Sequence, residues 1–181
     1  MREMTLILLL STIGLGADPD WSFTETPTVV AKGREWWVAP KGDDDGPGTK
    51  ARPFASVTKG LSKAEPGDTV QVRKGRYASE KAKLNFRESG RPDAWIVLRS
   101  VDGPGEAEID GGGEAFEVML IYERSYVVLE GLHIHGSEDN ALHVGVDCSY
   151  VIVRDCRVRG AEGGGDAIKV NGSDHVYVEG C

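Results

Sequence analysis

Basic side chains recur at matched positions in this sequence, in a pattern that suits the binding of an anionic polymer. Four of them occupy equivalent places in two near-identical segments 24 residues apart: His133, His135, Arg157 and Arg159. If both segments are strands of neighbouring coils, these side chains form two rows, in each of which the members lie about 4.8 Å apart. Such rows could bind an anionic polysaccharide. The alternative is ordinary polar decoration of a solvent-facing sheet.

A lysine near the end of the chain is the candidate for acid–base chemistry. Ile168 and Val170 are expected to face the core, so Lys169 should point outward, and His143 holds the same position one coil earlier. A lysine with a lowered pKa can act as a general base, and His143 would help to bind the substrate. The alternative is a solvated lysine, since pairing with a carboxylate would keep its pKa high.

Acidic loop residues are candidates for calcium ligands, because Ca²⁺ takes several oxygen ligands. The repeat loops supply Asp139, Glu162 and Asp166, and stacked carboxylates repel one another unless a cation joins them. The loop KGDDDGPG lacks the spacing and distal glutamate of an EF-hand, and a plain turn explains its composition. His-x-His on a strand is by itself a weak signal for zinc.

An internal repeat defines the elements that must position these residues. SYVVLEGLHIHG, residues 125–136, recurs as SYVIVRDCRVRG, residues 149–160, and DHVYVEGC begins a third copy at Asp174. Apolar positions alternate with period two, which indicates strands, and an extra residue between the pairs indicates a corner. Repetition at this period predicts a stacked solenoid. We therefore predict an all-β fold, a parallel β-helix with coils of about 24–26 residues.

Composition is consistent with this fold and restricts the partners. The chain has 181 residues, with 24 glycines and eight prolines suited to tight corners. Its net charge of −8 argues against nucleic acid as the partner, because phosphate binding needs a basic surface. An acidic polymer remains open as a partner if cations bridge the two.

The first residues resemble a secretory signal in composition. Arg2 precedes an apolar run from Leu6 to Leu15, and small residues at Gly14 and Gly16 allow cleavage before Ala17. We predict a signal peptide at residues 1–16, a flexible polar leader at 17–35, and a secreted, periplasmic or cell-surface location. The run is too short to span a membrane comfortably, so no span is expected after signal removal. A buried strand or an uncleaved anchor is the alternative.

Residues 36–68 are predicted to form an amino-terminal strand and a capping helix. Phe54, Val57, Leu61 and Ala64 have helical spacing, and a helix here would cover the open end of the solenoid core. The coils would then occupy residues 69–181. Because the sequence stops within a strand, we expect the coils to be truncated at the carboxyl end and the chain to be part of a longer protein.

The three cysteines are expected to pack in the core instead of forming a disulfide framework. Cys156 and Cys181 occupy the position that Leu132 fills one coil earlier. A disulfide between neighbouring coils is not excluded by the expected spacing. Cys148 has no partner at its own repeat position.

Several stretches resemble the amino-terminal part of pectate-lyase-like right-handed parallel β-helix proteins. They are VAPKGDDDGPGT, RPFASVTKGL, PGDTVQVRKGRY and DAWIVLRSVDGPGEAEIDGGG, and the resemblance covers about residues 36–181. That group includes secreted polysaccharide lyases of the pectate and alginate/chondroitin types. The resemblance implies an exported protein that binds acidic polysaccharide such as pectate or alginate, or cleaves it by β-elimination. GGGDAIKVNGS loosely resembles a lyase segment in which a basic residue binds the polymer, and this implies a role for Lys169.

Two departures from that family leave the activity open. Many such lyases stack asparagines where this chain has Leu132, Cys156 and Cys181, and their catalytic coils usually lie further along than this chain reaches. One alternative is a non-catalytic surface or adhesin-type β-helix that binds glycans. Another is a glycoside hydrolase, which needs two carboxylates about 5–9.5 Å apart. Asp166 with Glu162 or Asp139 would have to supply them.

Overall fold

The chain folds as a right-handed parallel β-helix of about four turns, as the repeat predicts. A computed structural model describes residues 25–78, 84–161 and 163–181. The predicted signal peptide at residues 1–16, the start of the leader and Glu162 lie outside the described residues.

The described elements are one short helix and a series of short strands. In chain order they are β1 (Glu35–Val38), α1 (Val57–Lys63), β2 (Thr69–Val72), β3 (Gly75–Ala78), β4 (Ile96–Ser100), β5 (Ala107–Ala115), β6 (Met119–Ile121), β7 (Ser125–Glu130), β8 (Leu132–Ser137), β9 (Leu142–Val144), β10 (Cys148–Arg154), β11 (Arg157–Val158), β12 (Ile168–Val170) and β13 (Ser173–Glu179). The strands form three sheets. Sheet A has the order β1-β2-β4-β7-β10-β13, sheet B has β3-β5-β8-β11, and sheet C has β6-β9-β12. Neighbouring strands in every sheet run parallel.

Apolar residues at the repeat positions stack coil upon coil and form one core. Leu129 in sheet A is in register with Val153, and Ile134 in sheet B is in register with Val158. Leu129, Val153 and Ile134 have no exposed surface. The predicted pairing of Leu142 with Ile168 in sheet C is also confirmed.

A left-handed corner residue joins sheets A and B in each full repeat. Gly131 has a φ of 67°, and Asp155 takes the same place one coil later with a φ of 52°. Glycine adopts this conformation without steric cost, and aspartate tolerates it better than most residues. The corner lets both flanking strands turn apolar side chains toward one core, as the extra residue in the repeat predicts.

The capping helix begins three residues later than the first apolar position of its pattern. Ser56 is the N-cap, and its hydroxyl accepts a hydrogen bond from Lys59 N at 3.1 Å. Phe54 instead pairs with Val38 in an extended bridge and stacks on Trp36 with ring centroids 5.8 Å apart. The helix packs closely on sheet A, since a Cβ at Gly60 would lie 2.7 Å from Val70 Cγ1.

Asp44 ties the acidic loop to the start of this helix. Its carboxylate accepts hydrogen bonds from Ser56 Oγ at 2.7 Å and from the backbone N of Ala55 at 2.8 Å. Burial by itself would raise the pKa of Asp44, but these hydrogen bonds outweigh it and hold the pKa below its usual value. Asp44 therefore fastens the loop to the capping helix. From composition alone, this loop was expected to be a plain turn or to bind calcium.

Replacing Asp44 by alanine should lower the free energy of unfolding by about 1 kcal/mol at neutral pH, because its hydrogen bonds are lost. A carboxyl whose pKa is lowered by folding stabilises the fold above its unfolded pKa, and this contribution disappears as pH falls through the folded pKa. The difference should therefore shrink in acid below about pH 4. Urea denaturation at the two pH values measures it, with Asp45→Ala as the control. If Asp44→Ala lowered the free energy of unfolding equally at neutral pH and below about pH 4, the stabilising role of the ionised Asp44 carboxylate would be contradicted.

A second apolar cluster lies on the outer face of sheet A and was not predicted from the sequence. Its buried members are Trp95, Val97, Val128 and Ile152. Val29 and Ala31 pack against it, and Trp95 N donates to Val30 O at 2.7 Å. The described part of the predicted leader therefore contacts the coils.

The cysteines are free thiols. Cys156 is 3% exposed, and burial raises the pKa of its thiol to about 12. The Cys156 thiol is therefore protonated and unreactive, as expected of a residue that only packs in the core. The prediction of core packing is confirmed for Cys148 and Cys156, whereas Cys181 is exposed.

Candidate functional site

The outer face of sheet B carries a row of charged and imidazole side chains, one from each strand. In register across the sheet the row is Arg76, Glu108, His133 and Arg157. Asp110 and His135 form part of a second row two residues further along. The predicted alignment of His133 with Arg157 is therefore present on the surface, and Arg157 is exposed. We call these two rows, together with Arg159 beside them, the sheet B patch.

The sequence analysis did not identify Glu108 and Asp110 as members of this patch. Asp110 is nearly buried, with 8% of its side chain exposed, and it is ion-paired with Arg76. Gly112 N donates a hydrogen bond of 2.9 Å to Asp110 Oδ1. Burial by itself raises the pKa of Asp110, but the Gly112 and Arg76 contacts outweigh it and keep the pKa below its usual value. A fixed carboxylate therefore lies beside His135 on the neighbouring strand.

The two histidines of the patch lie side by side. Their ring centroids are 4.4 Å apart with an angle of 36° between the planes. Burial, the neighbouring His135 and the Arg157 guanidinium all lower the pKa of His133, and Glu108 opposes them only in part. His133 is therefore biased toward its neutral form, in which it can hydrogen-bond or ligate but adds no positive charge.

A shallow cavity of about 370 Å³ adjoins the patch where the strands of sheet B end. Its lining includes His135 and Arg159 together with the small residues Gly136 and Gly160. Both glycines are closely packed, because a Cβ at Gly136 would collide with Asp110 Oδ1 and one at Gly160 would lie 2.6 Å from Gly165 O. The cavity is large enough for a sugar unit, and a carboxylate in it would meet Arg159.

Sheet C holds a second group, centred on His143. His143 Nδ1 contacts the carboxylate of Glu117, which is 4% exposed as a residue. Its other ring nitrogen contacts Asn171 Oδ1. Lys169 is in register with His143 on the next coil, as predicted. Sequence reasoning missed Glu117 and Asn171, which hold the imidazole ring in a defined orientation.

The predicted calcium ligands are only partly described. Asp139 Oδ2 accepts a hydrogen bond from Asn140 Nδ2 at 2.7 Å, and Asp166 N donates to Asn140 Oδ1 at 3.2 Å. Within residues 25–78, 84–161 and 163–181, Asp139 and Asp166 belong to no group of three imidazole, thiol or carboxylate ligands. The calcium site stays a prediction that depends on Glu162, outside the described residues.

No helix in the described part of the chain has the length and apolar character needed to cross a membrane. Export stays a prediction, because the segment that suggests it lies outside the described residues.

The three parallel sheets and the outward rows define a right-handed parallel β-helix protein. Residues 36–181 match the family described as Pel9A-like, right handed beta helix region. The chain belongs to that family, and the resemblance found in the sequence is confirmed.

Comparison with individual proteins extends this finding. The uncharacterized protein YwoF of Bacillus subtilis (strain 168) is 27% identical over 136 residues, which cover 68% of this chain and 28% of that protein. A rhamnogalacturonan lyase structure has a TM-score of 0.56 at 18% identity and covers 67% of this chain and 36% of its own. Pectate lyase Pel9A has a TM-score of 0.56 at 16% identity, covering 84% and 48%.

A glycoside hydrolase shares the same fold. The GH136 lacto-N-biosidase from Eubacterium ramulus has a TM-score of 0.57 at 14% identity, covering 80% of this chain and 30% of that one. At such identities the likeness shows the fold alone. The chain spans 28% of the Bacillus relative and less than half of each of these three structures.

Proposed function

We propose that this protein binds an acidic polysaccharide along the outer face of its β-helix. The observation that carries the proposal is the sheet B patch, where Arg157 continues the row of His133 and Arg159 lies beside the adjoining cavity. Guanidinium groups bind carboxylates through two parallel hydrogen bonds. Members of one row lie one strand spacing apart, so they can contact successive carboxylates of an extended uronate chain.

Charge distribution supports this partner despite the acidic net charge of −8. One of the two acidic members of the patch is engaged with a protein group, because Asp110 pairs with Arg76. The side chain of Arg157 is exposed on the outer face of sheet B, where a polymer could contact it. The rhamnogalacturonan lyase and the pectate lyase with the same fold are named for acidic polysaccharides. A non-catalytic surface protein that binds glycans would have the same class of partner.

If the protein is catalytic, the group on sheet C is the candidate for β-elimination. Lys169, in its amine form, would take the proton on the carbon next to the uronate carboxyl group. The electron pair of that C–H bond would form the new carbon–carbon double bond, and the bond to the leaving glycosidic oxygen would break. Water would protonate that oxygen. Because both ring nitrogens of His143 contact Glu117 and Asn171, His143 would contact the sugar beside Lys169 through the face of its ring.

A calcium ion bound near this group would neutralise the substrate carboxylate. Its proposed ligands are Asp139, Glu162 and Asp166. No step of the elimination is assigned to it.

The test is to titrate the full chain with polygalacturonate and alginate, and with neutral dextran as the control, with calcium or with a chelator. Binding is measured by calorimetry, and elimination by absorbance of the unsaturated product. We expect binding to both acidic polymers and none to dextran. Binding without product supports a glycan-binding protein, and reducing ends without unsaturation indicate hydrolysis. Equal affinity for dextran, or no binding to either acidic polymer, would overturn the proposal.

A further inference from the structure

We propose that Glu108, His133 and His135 form a binding site for a divalent transition-metal ion of the zinc type. The sequence offered only His-x-His on one strand, a weak signal. Folding adds a carboxylate from the neighbouring strand, and one ligand atom from each of the three residues lies within 4.8 Å of the others. Two imidazoles and a carboxylate are a donor set that zinc and its neighbours in the first transition row bind well.

The spacing between His135 and Glu108 is better suited to a shared metal than to a direct contact. His135 Nε2 lies 3.6 Å from Glu108 Oε2, which is too long for a hydrogen bond. Two donors on one tetrahedral zinc ion lie about 3.4 Å apart, because each bond is about 2.0–2.2 Å long. The three ligand atoms lie within 4.8 Å of one another, so side-chain torsions would change to bring all three onto one ion.

His135 Nε2 makes no hydrogen bond in the described structure. The atom is also buried. A buried nitrogen without a partner is costly. Ligation of a metal would satisfy it, while Glu108, with 43% of its side chain exposed, can move to complete the site.

The neighbours of His135 favour this use of the ring. Asp110 Oδ1 lies 3.6 Å from His135 Nδ1, on the side of the ring away from Glu108. This distance is too long for a hydrogen bond, but a short movement of the ring would let Nδ1–H donate to Asp110, the contact that orients a ligating histidine and makes it a stronger ligand. Asp110 is itself fixed by Arg76 and Gly112. The arrangement gives three protein ligands and one open position, which a water molecule or a substrate oxygen can occupy.

The test uses the full chain without a histidine tag, freed of metal with a chelator and then titrated with Zn²⁺ by calorimetry in the absence of polymer. We expect one equivalent to bind in the micromolar range or tighter. Co²⁺ should give the visible absorption of a four- or five-coordinate ion. Glu108→Gln should weaken Zn²⁺ binding by at least about tenfold, and His135→Ala by more.

The matched control is His175→Ala. His175 lies on β13, where it stacks on Tyr150 with ring centroids 4.5 Å apart, and its removal should leave Zn²⁺ binding unchanged. Circular dichroism checks that every variant is folded, and Glu108→Gln keeps the test valid if His135→Ala does not fold. Less than half an equivalent of Zn²⁺, or unchanged affinity in Glu108→Gln, would overturn the proposal. Polymer binding, measured separately in chelator, tests the proposed function on its own.

Discussion

Reversing the charge of both Arg157 and Arg159 to glutamate should weaken binding of polygalacturonate by at least about 100-fold. A hydrogen bond to a charged group contributes about 1.5–3 kcal/mol, so the loss of two such contacts amounts to about 3 kcal/mol or more. Each 1.4 kcal/mol is a factor of ten in affinity. The two new carboxylates would also repel the polymer. Calorimetry at an ionic strength of about 0.15 M, where the Debye length is about 8 Å, measures the change.

The control for this prediction has the same change in net charge at a distance from the patch. Lys32 and Arg91 are exposed residues in segments that pack beside sheet A. Reversing both should leave affinity within about threefold, because they lie on a different face from sheet B and exposed charges far apart are largely screened by salt. Added salt should weaken binding to the native chain and have little further effect on the Arg157→Glu/Arg159→Glu variant. An equal loss of affinity in both double variants would show that net charge, and not the patch, governs binding.

Replacing Leu129 by alanine should lower the free energy of unfolding by about 2–5 kcal/mol. Leu129 has no exposed surface and lies in the middle of sheet A, in register with Leu98 and Val153 on the two neighbouring coils. The smaller side chain would leave a cavity between coils that the stacked backbone cannot close. Because each coil is held by its neighbours, the loss should affect the unfolding of the coils on both sides. Urea denaturation followed by circular dichroism measures it.

Val178→Ala is the matched control, because Val178 occupies the same repeat position on β13. It is 48% exposed, so its replacement should cost less than about 1 kcal/mol. Similar losses at Leu129 and Val178 would mean that stability does not depend on the coil in which the residue lies.

Much of the fold could be predicted from short-range patterns. The alternation of Val127, Leu129 and their equivalents indicated strands, and the extra residue at Gly131 indicated a corner. Each of these signals lies within a few residues of chain. The start of the capping helix was harder to predict, because Phe54 fits the helical spacing but its backbone pairs with Val38. The hydroxyl of Ser56 sets the start of the helix, and hydrophobic spacing does not report it.

Only part of the sheet B patch could be predicted from the sequence, for a related reason. His133 and Arg157 were matched because their segments are near copies. Glu108 lies in a coil whose sequence has diverged, although AEIDG, residues 107–111, does align with LHIHG, residues 132–136. That alignment was the signal that could have added Glu108 and Asp110 to the patch.

Sequence alone determined that this chain is a parallel β-helix, since strand period and repeat length are local properties of the chain. It also determined which side chains face outward, because alternation along a strand sets the face. Only the tertiary structure decided which outward side chains meet. Glu117 reaches His143 across 26 residues, and Glu108 reaches His135 across 27. The lengths of the intervening loops set the register between coils, and those loops follow no repeat.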